Sequence, residues 1–273
     1  MSKKWCEVGK KIIIISVCAS TIAGSIAFVM ERLEEKSKTH QPYGLYEKYI
    51  KRPLDAFIAM GAMIVLSPIF LVTSILIRVK LGSPVFFVQE RPGLHGKPFR
   101  MVKFRTMLDP QTRDGRKLTD EERLDCIEKG IDIFTDEERL TKLGRTLRST
   151  SLDELPELWN ILKGDMSIIG PRPWAMIYIP YYTKEEMRRH DVRPGLTGMA
   201  QVNGRNSAAW NERFKNDIYY VDHCSFLTDL KILCQTFAVV LKEKDIGQGE
   251  ERPEEFSVVR QKEWQEGSVI RDR

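Results

Sequence analysis

Ala56–Ile77 reads AFIAMGAMIVLSPIFLVTSILI, twenty-two residues without a charge and with Ser67-Pro68 at their midpoint. A bilayer core takes roughly 20 residues of helix, so the run is long enough to reach through one. Proline removes a backbone donor and clashes with the preceding turn, so the helix kinks or breaks there. One reading is a Pro-kinked span, which membranes tolerate. The flanks favour another. Lys48, Lys51 and Arg52 precede the run, Arg78 and Lys80 follow it, and basic residues favour the cytoplasmic side. A helix–break–helix over about residues 54–80, broken at Ser67 and Pro68, dips into the membrane and returns. It satisfies both flanks, whereas a straight span satisfies one.

A second apolar run, Ile12–Met30, is also uncharged and follows Lys3, Lys4, Trp5, Lys10 and Lys11. A secretory signal has that outline, but cleavage and export would part the rest of the chain from its cytoplasmic substrate, so an uncleaved anchor is expected. The charge rule puts its N-terminus inside; a re-entrant second segment with a cytoplasmic domain puts it outside. Two spans with residues 31–52 outside would strand Lys48, Lys51 and Arg52 on the wrong face. Each arrangement breaks the rule once, and the re-entrant one is preferred.

Outside these runs the 273-residue chain is ordinary for a folded protein, with 42% apolar and 30% charged residues. The formal charge of +5 is too small to argue for nucleic acid, and no basic helix is interleaved with aromatics. It suits anionic lipid headgroups or phosphate-bearing substrates. Five cysteines without a CxxC pair argue against a disulfide framework and a zinc site, and the four histidines are scattered.

Residues 1–45 form an N-terminal extension, 46–245 the main domain and 246–273 a charged mobile tail. The domain is expected to be α+β and mostly helical, with one small hairpin from strands Pro84–Gln89 and Phe99–Phe104. TDEERL occurs at 119–124 and again at 135–140, with Thr119/Glu122 and Thr135/Glu138 spaced as capping boxes. The acidic insert 108–145 is therefore expected to hold two short solvated helices. Asp229–Lys244 reads as an amphipathic helix that packs on the core or lies on the membrane surface.

The chemistry concentrates in Arg148–Pro173, RSTSLDELPELWNILKGDMSIIGPRP. Ser151 is a candidate N-cap with Glu154 closing a capping box. Asp153 and Glu154 then fall in the first turn, where the helix dipole favours an ionised carboxylate and free N–H groups suit phosphate. Acids there can also be plain caps. Gly170-Pro-Arg-Pro173 fixes Arg172 between prolines. Arg193 and Arg205 stand beside glycines, and Lys103, Arg105 and Arg148 add further cations. Arginine suits a diphosphate because its planar fork binds phosphate oxygens in pairs.

These motifs, with KRPLDAFIA, SPVFFVQERPGLHGKPF, KFRTM, RPGLTGMAQVNGRN and DIYYVDHCSFLTDLKIL, resemble the bacterial sugar transferases called monotopic phosphoglycosyl transferases, from about Tyr46 to about Lys244. The likeness is greatest to small members, including those acting on UDP-diacetylbacillosamine. It implies a re-entrant helix broken at Ser-Pro, Asp153 as catalytic nucleophile, and Glu154 as a catalytic residue that also binds Mg²⁺. It further implies that Lys103, Arg148, Arg172 and Arg205 contact phosphate or nucleotide, with Asp217 and Asp229 as further substrate-binding candidates. Small members begin near the re-entrant helix, so residues 1–45 are an addition, and the acidic insert is longer than usual.

The expected reaction passes a sugar-1-phosphate from a UDP-sugar to undecaprenyl phosphate, releasing UMP, through a phosphosugar held on Asp153. It would be the first membrane step of bacterial glycan assembly, such as capsule, exopolysaccharide, O-antigen or glycoprotein. The expected place is the inner cell membrane, with the catalytic domain on the cytoplasmic face in contact with membrane lipid; a homodimer stays open. An N-acetylated donor such as UDP-diacetylbacillosamine or UDP-GalNAc is favoured, with UDP-galactose and UDP-glucose open. A glycosyltransferase attacking the sugar carbon is a rival, although no Asp-x-Asp triplet is present. A catalytically idle membrane scaffold is another. GLHGKP at 93–98 lacks Walker spacing, and there is no G-x-G-x-x-G.

The topology is tested at Cys6. An impermeant maleimide is expected to label Cys6 in intact cells; protection from the reagent would favour the N-terminus inside.

Overall fold

The computed structural model describes residues 45–204, 209–242 and 255–269, less eight positions between 120 and 130. The segment 12–30, the linker up to residue 44 and Arg205 lie outside the described residues. A π-turn at Tyr46–Ile50 leads into α1 (Lys51–Val65), followed by α2 (Ser67–Lys80). Next come the hairpin strands β1 (Phe86–Pro92) and β2 (Pro98–Phe104), then α3 (Asp136–Arg139), α4 (Lys142–Ser149) and α5 (Glu157–Lys163). The remaining elements are β3 (Ser167–Ile169), α6 (Lys184–Met187), β4 (Gly195–Thr197), α7 (Met199–Val202), α8 (Trp210–Asp222), α9 (Phe226–Lys242) and α10 (Phe256–Glu266).

No single helix among the described residues is long and apolar enough to cross a membrane. The pair Tyr46–Val65 and Ser67–Lys80, bent by 64°, meets the requirement together by length and composition. The break falls at Leu66, whose backbone leaves the helical region (φ −88°, ψ 2°). The Ser67 hydroxyl donates to the Ile64 carbonyl at 2.8 Å. Pro68 lies in the first turn of α2, where its missing N–H costs nothing. Phe57, Ile64, Val65, Leu71 and Val79 are each more than 60% exposed. An apolar surface this continuous marks contact with a membrane or partner.

Both ends of the bent pair dock on the same domain. At the outgoing end, Ile77 and Leu81 are buried with Phe104 and Leu147. At the incoming end the contacts are polar. Lys51, only 9% exposed, pairs with Asp229 at 2.5 Å. Arg52 donates to the carbonyls of Ile161 (2.8 Å) and Leu162 (2.6 Å), near the C-terminal end of α5, where cations are favoured by unpaired carbonyls and the dipole. Asp55 accepts from the Ser167 hydroxyl at 2.6 Å. As flanking charges, Lys51 and Arg52 suggested free cytoplasmic cations; both are instead committed within the protein. The agreement of the two flanks therefore rests on docking more than on charge.

The hairpin pairs Phe86 with Phe104 through Pro92 with Pro98, antiparallel, so β1 begins and ends later than the expected Pro84–Gln89. Buried Asn160 of α5 donates to the Arg100 carbonyl (2.7 Å) and accepts from the Val102 amide (3.0 Å), fixing β2 against α5. A second pair, β3 with β4, is parallel and has no counterpart in the sequence reading. It depends on backbone contact: a Cβ on Gly195 would lie 2.1 Å from the Gly170 nitrogen. The fold is thus α+β and mostly helical, as expected, with two small sheets among the described residues in place of one hairpin.

In the insert, both Thr119/Glu122 and Thr135/Glu138 form reciprocal capping bonds. The second copy is a single turn. Bridges Met107–Leu140, Gln111–Lys117 and Thr112–Ile133 fold the insert back on itself. The expectation of a mobile tail over 246–273 is corrected for α10: Phe256 is fully buried, because an aromatic cluster formed by Tyr182, Trp210 and Phe214 receives it.

Helix α4 passes the end of the hairpin at Gly144, where a Cβ would stand 1.9 Å from the Thr106 carbonyl oxygen. Gly144→Ala must push α4 away and is expected to destabilise the protein by about 3 kcal/mol. Thermal unfolding in nanodiscs checks this, and a shift within error would contradict the packing described.

Candidate active site

The segment after α4 does not form the expected capped helix. Ser151 adopts a left-handed conformation (φ 55°) and makes no side-chain cap. Residues Leu152–Glu154 form a 3₁₀ turn, and α5 begins only at Glu157, after Pro156. Proline is favoured at a helix start, which sets the later boundary. Glu154 does not reach back to Ser151 because two cations claim it. Its Oε1 accepts from Lys103 Nζ at 2.7 Å and from Arg172 Nη2 at 3.0 Å. Lys103 also pairs with Glu157 at 3.0 Å. A strained non-glycine residue beside charged groups is a feature of functional sites.

Asp153 is 9% exposed and, among the described residues, carries no salt bridge. Burial, and then the neighbouring Glu154, push its carboxyl above the usual carboxylate range, while Lys103 and Arg148 pull the other way. The direction is opposite to that expected from a helix N-terminus, since no α-helix starts at Asp153. Glu154 differs. Burial works to raise it, but Arg172 and then Lys103 prevail and hold it at about 2. Burial pushes Glu157 up. Adjacent carboxyls driven apart in this way can take different roles.

Asp153 and Glu154 line one cleft of about 2090 Å³. Lys103, Arg148, Asp153, Glu154 and Arg172 face it together, as do Ala62 and Leu66 from the bent pair, Phe86 and Phe237. Arg148 is aimed by its Nε–H···Thr106 Oγ1 bond of 3.1 Å. Arg105 lines the cleft too, but it is held by Asp109 and by the carbonyls of Ser83 and Met107. Arg193 is elsewhere. It donates to the Gly164 carbonyl at 3.0 Å, and burial, with Arg52 nearby, pushes it down to about 10.

The two aspartates carried over as substrate contacts are engaged structurally. Asp217 borders the cleft, yet its Oδ2 accepts two bonds from buried Arg189, at 2.7 and 3.0 Å. Arg189 in turn donates to the Arg172 carbonyl at 2.7 Å, so Asp217 acts on the cleft through Arg172. Asp229 does not line the cleft. It accepts from Tyr46 (2.6 Å), Lys51 (2.5 Å) and Tyr220 (2.7 Å), because it closes the polar foot of α1. Arg91 and Arg213 line the cleft and escaped the sequence reading. Arg213 stacks on Trp210 (4.7 Å) and Trp174 (5.4 Å). Arg213 lies in the first turn of α8, and its place one turn from Trp210 and from Asp217 was the available signal.

No three His, Cys, Asp or Glu side chains converge as a metal cage among the described residues. Magnesium does not require one, since it is commonly held by one or two carboxylates together with substrate phosphates and water. Glu154 fits, as only its Oε1 is engaged by the two cations.

The model of the bacterial sugar transferase family matches residues 46–243. The chain is 48% identical over 199 residues to the sugar transferase EpsL of Bacillus subtilis, covering 73% of this chain and 91% of that protein. It is 36% identical over 202 residues to the UDP-glucose:undecaprenyl-phosphate glucose-1-phosphate transferase of Caulobacter vibrioides (70% and 69%). It is 35% identical over 199 residues to the UDP-N-acetylgalactosamine-undecaprenyl-phosphate N-acetylgalactosaminephosphotransferase of Aeromonas hydrophila, covering 71% of this chain and 44% of that protein.

Asp229→Asn removes the carboxylate that pairs with buried Lys51 and leaves only Asp55, one turn on, to offset its charge; the expected cost is about 3 kcal/mol. UDP binding measured at a temperature where the variant is folded should be unchanged. Weakened UDP binding with normal stability would return Asp229 to the substrate contacts.

Proposed function

The chain belongs to the bacterial sugar transferase family and is an enzyme of the phosphoglycosyl transferase type; on that premise we propose that it transfers a sugar-1-phosphate from a UDP-sugar to undecaprenyl phosphate with Asp153 as nucleophile. One observation carries the reading. A buried carboxylate that carries no salt bridge among the described residues shares a cleft with Lys103, Arg148 and Arg172, and that cleft also takes in Ala62 and Leu66 of the bent apolar pair.

The Asp153 carboxylate oxygen attacks the β-phosphorus of the donor. The bond to the bridging oxygen breaks, and UMP leaves with the electron pair. An oxygen of undecaprenyl phosphate then attacks the same phosphorus and expels the carboxylate, leaving the sugar on a diphosphate. Two displacements let a soluble donor and a lipid acceptor use one site in turn. Burial leaves the Asp153 carboxylate poorly solvated, which suits a nucleophile, and the nearby cations neutralise the transferring group. Glu154 would hold Mg²⁺, which when bound supplies further charge neutralisation at the phosphates. Lys103 and Arg172 keep Glu154 ionised for that task.

The bent pair is the re-entrant membrane segment. Docking of both its ends on one domain supports this, since a straight span would carry one end to the far side of the bilayer. The domain then sits on the cytoplasmic face of the cell membrane, where nucleotide sugars are made, and the lipid phosphate meets the cleft at the interface.

In nanodiscs with Mg²⁺, undecaprenyl phosphate and a panel of UDP-sugars, the expected product is UMP from one donor. Asp153→Asn is expected to lower turnover by about 10³-fold or more and to abolish the covalent adduct. UDP as the leaving nucleotide, or near-normal transfer by Asp153→Asn, would sink the assignment.

A further inference from the structure

The family match ends at residue 243, yet α10 lies beyond it and is built into the domain. The Phe256 ring meets Trp210 (5.1 Å), Phe214 (5.2 Å), Tyr182 (5.5 Å) and Tyr178 (5.6 Å). Arg260, one turn on and 1% exposed, is ion-paired with Glu186 and lies 5.0 Å over the Phe256 ring. Val258, between them, is 38% exposed. A helix that buries an arginine and a phenylalanine on one face is docked by specific chemistry, and a fully buried charge requires its partner.

Two lines of contact run from this face to the cleft. In the first, Trp210 beneath Phe256 meets Trp174 edge-on at 5.0 Å, and both indoles carry the Arg213 guanidinium. Trp174 and Arg213 line the cleft with Arg172. In the second, Glu186 closes the capping box that starts α6, with Thr183 as its partner. The turn that follows α6 carries Arg189, which holds the Arg172 carbonyl and Asp217. The first line ends on Trp174 and Arg213, the second on Arg172.

We propose that α10 is a positioning element for the nucleotide: Phe256, through Trp210, holds Trp174 and Arg213 in the arrangement that binds the nucleotide part of the donor. This rests on reading the cleft as a UDP-sugar site. An indole and a guanidinium group suit a base and a phosphate, and each contact depends on ring and fork orientation. Trp174 and Arg213, unlike Arg172, take no part in the Asp153–Glu154 cluster, so their contacts bind ground state and transition state alike. Disturbing them therefore raises KM and leaves kcat in place.

The test uses the full chain in nanodiscs. Phe256→Ala is expected to weaken UDP binding, read by calorimetry, and to raise the UDP-sugar KM, each by about tenfold. The kcat at saturating donor and the KM for undecaprenyl phosphate should stay within about twofold. Phe256→Leu keeps apolar volume and should restore most of the binding. Val258→Ala, on the exposed face, should match the wild type. Should Phe256→Ala unfold, Phe256→Val, a smaller truncation at the same position, carries the same expectation at lower magnitude. Unchanged UDP binding, a fall in kcat alone, or an equal effect from Val258→Ala would overturn the proposal. A wild-type chain that binds UDP but releases no UMP overturns the transfer reading, while the Phe256 comparison still decides the role of the helix. Failure of the wild type to bind UDP overturns both.

Discussion

The polar foot of α1 is the interaction on which the rest depends. An apolar helix gains nothing from water and has no reason of its own to hold one orientation toward a polar domain. Lys51, Arg52 and Asp55 supply that reason. They bind Asp229, the carbonyls at the end of α5 and the Ser167 hydroxyl, three partners on three different elements. Breaking any of these contacts strands a buried polar group, so the foot acts as a register device. With the foot held and Ile77 packed at the other end, the bend at Leu66 is aimed, and the apolar pair faces the cleft that holds Asp153.

The cleft is organised by a division of labour among charges. Glu154 is engaged at Oε1 by Lys103 and Arg172 and kept ionised; Asp153, one residue earlier, has no such partner among the described residues and is pushed up by burial. The 3₁₀ turn produces that contrast, because it turns the two side chains away from a shared helical start. Arg172 is held from three sides, by Glu154 at its guanidinium, by Arg189 at its carbonyl and by the prolines that flank it. The Arg172 wall of the cleft therefore rests on rigid backbone and on the buried Arg189–Asp217 pair.

Much of this was legible in the chain as written. The helix break, the hairpin and the long α9 follow from local pattern, while the gathering of Lys103, Arg148 and Arg172 about Asp153 was implied by the family resemblance. Other features were not legible for definite reasons. Arg213 belongs to the cleft only because Trp174 and Trp210, far apart in the chain, provide a surface for it. Asp229 looked like a ligand because an acid in a motif has no visible partner until Lys51, 178 residues earlier, is brought to it. The β3–β4 pair was hidden because three-residue strands joined by glycine contacts carry no periodicity. The C-terminal segment read as mobile because its charges outnumber its apolar residues, and burial of Phe256 and Arg260 needs an aromatic cluster contributed by other elements.

Features with local causes can be read from the chain alone: where a proline stops one helix and starts the next, where an uncharged run seeks an apolar surrounding, and which residue types can carry phosphate chemistry. Tertiary structure decided which charges are free and which are spoken for. Whether an arginine or an aspartate is a ligand, a cap or half of a buried pair depends on the nearest opposite charge. That neighbour is fixed by packing between segments distant along the chain.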